Sequence, residues 1–100
     1  MSTQVMSDAD TALAHLERLT DELRARGWNV EVSAPDDRWP CALVSDPSTP
    51  AMDENVIAAR DRSGDTWSYF HGWGERIAPC SDPAEAAAVL GRVLTARRSN

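Results

Sequence analysis

The stretch Trp67-Ser68-Tyr69-Phe70-His71-Gly72-Trp73-Gly74-Glu75-Arg76-Ile77 decides how this 100-residue chain is read, because it holds four of the six aromatic side chains. Trp67, Tyr69, His71 and Trp73 share one parity, so the two-residue period of a strand puts them on one face and leaves Ser68 and Phe70 on the other. That face is aromatic and able to hydrogen-bond. Gly72 and Gly74 close the run, since glycine tolerates the dihedrals of a tight turn and the close approach of another backbone. Trp67, Tyr69, His71 and Trp73, with the charged pair Glu75 and Arg76 after them, form the candidate ligand- or partner-binding set. Two uses of the face stay open: cross-strand and core packing, or recognition of a planar ligand or a partner's apolar side chain.

Upstream, Arg62-Ser63-Gly64-Asp65 reads as a hairpin turn in which Gly64 supplies positive φ, joining a strand over 56–61 to an antiparallel return over 66–71. Residues 46–55, Asp-Pro-Ser-Thr-Pro-Ala-Met-Asp-Glu-Asn, are rich in turn formers and read as a loop. Cys41 to Ser45 forms a short strand. Trp28, Val30 and Val32 alternate with Asn29 and Glu31 as another, and Pro35-Asp36-Asp37-Arg38 turns between the two. Downstream, residues 75–80 are expected as a short extension or an ordered loop.

Helical periodicity brackets these strands. Ala9, Ala12, Leu13, Leu16, Leu19 and Leu23 follow the i, i+3, i+4 spacing of an amphipathic helix, opened by the capping residues near Ser7 and stopped at Gly27. Trp28 can then fold back on Leu23. Near the other end, Asp82-Pro83-Ala84-Glu85 combines a capping Asp, Pro at the first helical position and Glu at the third. Ala86, Val89, Leu90, Val93 and Leu94 supply the core stripe of that helix, and Arg97 and Arg98 complement its negative end. The expected fold is α+β, a four-stranded antiparallel meander flanked in sequence by two helices packed on one face. It forms one domain over 1–100, with loose tails at 1–6 and 98–100. Periodicity leaves open which way the aromatic face points.

At 42% hydrophobic and 26% charged the chain has ordinary globular usage, too apolar for a disordered segment. Ten basic against sixteen acidic residues give a formal charge of -6, which repels phosphate backbones and argues against nucleic acid as a partner. All ten basic residues are Arg, so Schiff-base chemistry and a P-loop lysine are excluded. No window approaches the roughly 20 apolar residues that span a bilayer, and the first residues lack a signal peptide's pattern, which together predict a cytoplasmic protein without membrane attachment. In that setting Cys41 and Cys80 are expected as reduced thiols.

Candidate chemistry is sparse. His71 and Glu75 could form an acid–base pair, but neither a nucleophile nor an oxyanion site accompanies them, so no catalytic residue is assigned. His15 sits on the rim of the first helix. Cys41, Cys80, His15 and His71 lack the close spacing of a metal site, and the 46–55 segment lacks the alternating ligands of a calcium loop, so neither metal nor cofactor is expected.

The segment over 67–79, with Asp82-Pro-Ala-Glu-Ala-Ala and Val93-Leu94 after it, resembles small actinobacterial proteins of unknown function that carry a W-x-x-x-x-x-W-G-E-x-I run before a D-P-x-E-A-A helix. The resemblance spans about residues 67–94 and implies an accessory role beside helix-turn-helix regulators, with no catalytic residue to carry over. The helix, meander, helix order is also similar to the secretion-chaperone-like fold, whose members bind proteins through sheet and helix surfaces. The resulting expectation is a non-enzymatic protein-interaction module that acts on a protein partner or a second copy of itself. A small-molecule binder using Trp67, Tyr69, His71 and Trp73 is the alternative.

Overall fold

Asp8 and Asp10 in the first turn and Arg24 in the last match the helix dipole of α1, Asp8–Ala25, in the computed structural model, which describes residues 8–61 and 66–98. Ala12, Leu16, Leu19, Thr20 and Leu23 are buried, and the Thr20 hydroxyl is satisfied by donating to Leu16 O at 2.8 Å. At the far end Gly27, at φ +92°, lets Trp28 N donate to Leu23 O and Gly27 N to Arg24 O. Those two bonds make a Schellman stop. The Trp28 ring lies over Gly91 of the second helix.

Five strands follow: β1 Asn29–Ser33, β2 Cys41–Asp46, β3 Thr49–Arg60, β4 Trp67–His71 and β5 Arg76–Pro79. They pair antiparallel in chain order, and α2, Pro83–Arg98, closes the chain. The α+β class and the flanking helices agree with the sequence reading, but the sheet has five strands where four were expected. The additional strand is the segment expected as an extension or ordered loop. Only four residues long and containing Ala78 and Pro79, it offers little β propensity, and it is held by β4 through Ser68↔Pro79, Tyr69↔Ala78 and Phe70↔Arg76. A bulge between Tyr69 and Phe70 turns both Ile77 and Ala78 inward.

The expected 46–55 loop is a hairpin. Asp46 Oδ1 accepts from Ser48 N at 2.9 Å and from Ser48 Oγ at 2.8 Å, so the turn needs only Pro47 and Ser48. Pairing then jumps from Asp46↔Thr49 to Ser45↔Asp53, and the irregularity absorbs the turn-forming residues that suggested a longer loop. The expected tail at 1–6, the cap near Ser7, the Arg62–Asp65 turn with Gly64, and Ser99-Asn100 lie outside the described residues, as do the side chains of Arg97 and Arg98.

The helices lie on one side of the sheet, α1 against β1, β2 and β3 and α2 against β5 and β3. Between them and the strands lie Leu16, Leu19, Leu23, Ala86 and Leu90 from the helices, and Val30, Ala42, Val44, Val56, Ala58 and Tyr69 from the sheet. Asp82 caps α2, its Oδ1 accepting from Glu85 N at 3.1 Å.

Candidate functional site

The orientation that periodicity left open is set by the register. Ala58 pairs with Tyr69 and Val56 with His71, so Trp67, Tyr69 and His71 point with the core positions of β3 toward the helices. Tyr69 is fully buried and its O–H donates to His15 O of α1 at 2.6 Å. His71 is also buried, its Nδ1 2.8 Å from Glu54 Oε2, and both of these side chains are at most 3% exposed. One proton joins the two groups across β3 and β4. The acid–base partner considered in the sequence, Glu75, is exposed and meets His71 only through its carbonyl, which accepts from His71 N. Gly72 N donates to Asn55 O and Gly74 takes φ +102°, so the chain reverses immediately after His71.

Trp73 lies in that reversal, 58% exposed, with its ring stacked at 4.3 Å on His71. Trp67 is half-buried among His15 at 5.4 Å, Trp39 at 6.5 Å and the Arg60 guanidinium. Trp39 is fixed in turn by its indole N–H, which donates to Ala58 O at 2.9 Å. The six candidate residues therefore do not form one open platform: Tyr69 and His71 are core, Trp67 is packed, and Trp73, Glu75 and Arg76 reach solvent.

His15 is held by Arg18, whose Nη2 donates to His15 Nδ1 at 2.9 Å and to Cys80 O at 3.0 Å. Partial burial, then the Arg18 charge, holds the imidazole below the ordinary histidine pKa. Burial pushes the Cys80 thiol up to about 12 and raises the Tyr69 phenol well above its usual value. These groups are built to stay neutral. Both cysteines are free thiols, Cys80 in the core and Cys41 on the opposite side of the sheet, in phase with Leu43.

The open surface is the other sheet face, and its apolar centre consists of residues outside the candidate set, with only Arg76 of that set at its border. Ile57 and Phe70 pair across β3 and β4, and Leu43 stands on β2 between Glu31 and Asn55. Leu43 is 36% exposed, while Ile57 and Phe70 are half-buried with no helix over them. One shallow hollow of about 630 Å3 on this side includes Ile57, Ala59, Phe70 and Arg76, and a second of about 760 Å3 runs from Leu43, Asp53 and Glu31 around the β1 edge to Arg24, Gly27 and Trp28 at the end of α1. At one end Asp61 accepts from the Thr66 and Ser68 hydroxyls at 2.8 and 2.9 Å and faces Arg76 Nε at 3.4 Å. The Thr66 and Ser68 hydroxyls, with Arg76 assisting, hold the Asp61 carboxyl below its usual pKa. A signal for this face exists in the sequence: Val56-Ile57-Ala58-Ala59 and Cys41-Ala42-Leu43-Val44 are unbroken apolar runs, and a strand wet on one face would alternate.

No family model matches the chain, and no curated protein and no solved structure shows significant similarity to it. Among the described residues no group of three His, Cys, Asp or Glu side chains could hold a metal, and no helix is long and apolar enough to cross a membrane.

Proposed function

We propose that the chain is a non-enzymatic protein-interaction module whose docking surface is the helix-free face of its sheet. The observation that carries this reading is the apolar strip of Leu43, Ile57 and Phe70 on that face. A sheet with both helices on one side would be expected to alternate apolar and polar residues; here apolar side chains occupy both sides of the central strands, the pattern of a sheet covered twice. The ionisable groups that could do chemistry, His71 and Glu54, are sealed from substrate. A cytoplasmic location and an accessory role toward a regulatory partner belong to the same proposal and draw on the sequence pattern.

The test is site-specific photo-cross-linking in the native host, with a benzophenone side chain placed at position 57 or 70 and, as a control, at exposed Glu85 of α2. A discrete adduct from the two sheet positions and none from the control supports the reading. Equal labelling from all three positions contradicts it.

A further inference from the structure

Three features of the open sheet face restrict what can cover it. Its centre is apolar, as described. Its uncommitted charges are negative: Glu31 and Asp53 are exposed on either side of the Leu43–Ser45 segment, and neither has a cationic partner among the described residues. The nearby cations are already engaged, Arg76 by Asp61 at 3.4 Å and Ser68 at 3.1 Å, and Arg24 by donation to Val30 O at 2.9 Å.

The third feature is the state of the sheet edges. On β1 the Arg24 guanidinium occupies the Val30 carbonyl that an added strand would use, and β5 is four residues long and ends in Pro79, which has no N–H. Addition of a strand is disfavoured at both ends, so an occupant must lie on the face.

We infer that this occupant is a cationic amphipathic α-helix of another protein, lying across the strands with its apolar stripe on Leu43, Ile57 and Phe70 and its Lys or Arg side chains over Glu31 and Asp53. The inference rests on the reading of this face as a protein-docking surface. A helix completes a third layer on a sheet whose first layer is already helical. Five strands at about 4.8 Å spacing span about 19 Å between the edge axes, the length of about 13 helical residues. A second copy is a poorer occupant, because each chain carries a formal charge of -6 and, among the described residues, the face has no uncommitted cation to meet Glu31 and Asp53.

The probe is a synthetic amphipathic helix of about 14 residues with Leu at i, i+3, i+4 and i+7 and Lys elsewhere, matched with a peptide in which Glu replaces Lys. Titration calorimetry and amide chemical shifts of the full chain are read together. The expected result is binding of the Lys peptide with shifts confined to the outer positions of β1–β4, weakened by salt and at least about tenfold in Glu31→Lys/Asp53→Lys. Those two exposed substitutions are checked for retained folding by circular dichroism. Equal binding of the Glu peptide overturns the cationic partner and leaves the docking surface standing. Failure of both peptides to bind the face overturns the inference as well, and cross-linking from position 70 then decides whether the docking reading falls with it. A concentration-dependent dimer in light scattering that Phe70→Glu abolishes would make the occupant a second copy and overturn the inference.

Discussion

His71 and Glu54 face one another from adjacent strands inside the core, Nδ1 to Oε2 at 2.8 Å, with the exposed Trp73 ring stacked over the imidazole. A pair so far from water gains strong mutual attraction and costs much desolvation, so its value shows when one partner is removed. His71→Leu or Glu54→Leu alone should destabilise the fold by about 3–5 kcal/mol, while the double substitution should recover most of that loss. Urea unfolding of the four proteins measures the cycle. Additive losses would show that the two groups are held by other neighbours and not by each other.

Two glycines should respond to alanine with opposite signs. Gly27 sits at φ +92° with nothing within 4 Å of an added Cβ, so Gly27→Ala meets only backbone strain and should lose about 1 kcal/mol or more. Gly91 lies within α2, and an added Cβ would meet Trp28 Cζ2 at 3.7 Å, an ordinary contact. Gly91→Ala should gain about 0.5–1 kcal/mol. Thermal melts of both variants check this, and a destabilised Gly91→Ala would show that Trp28 packs more tightly on the helix than 3.7 Å implies.

His15 gives a pH dependence whose sign follows from its neighbours. Its folded pKa lies below the ordinary 6.5, through burial and then Arg18, so as pH falls below that value the unfolded chain takes up the proton first. The contribution to stability is complete above pH 6.5 and is lost as pH descends toward the folded pKa. Since Arg18 can only donate, Nδ1 accepts and the proton sits on Nε2. Nitrogen-detected NMR titration should find the Nε2–H tautomer and a midpoint below 6.5, and a midpoint at or above it would contradict the packing against Arg18 and Trp67.

The two thiols should separate by rate. Cys80 is buried with its pKa pushed up to about 12, whereas Cys41 is half-buried on the outer face. In native buffer at neutral pH a thiol reagent should modify Cys41 first and reach Cys80 only on unfolding. Mass spectrometry of the time course reads this directly, and equal early modification of both would mean that the α2 side of the core opens freely.

Sequence periodicity showed the elements whose burial is one-sided. The leucine stripe of α1, the Gly27 stop, the Asp82 cap and the shared parity of Trp67, Tyr69 and His71 were all legible, because each repeats a local geometric rule. The direction of the aromatic face was not, since it depends on which side of the sheet two sequence-distant helices cover. The pairing of His71 with Glu54 was hidden for a related reason. Glu54 lay in a segment whose composition favours turns, and only the Asp46–Ser48 turn and the irregular β2–β3 register bring it into the core opposite Val44. Phe70 stands out of phase with its aromatic neighbours, so parity alone separates it from them, and that same phase places it opposite Ile57 on the open face.

The central claim, that Phe70 and Ile57 serve binding and not folding, is tested most directly by carrying the benzophenone cross-linker at position 57 in a Phe70→Glu chain and recording its thermal melt beside the unsubstituted one. The melting temperature should fall by no more than about 8 °C, the shift of about 1 kcal/mol in a domain of this size, and the cross-linked partner should be lost. A cross-link that persists with a charge at the centre of the strip would contradict the claim, as would a chain that no longer folds.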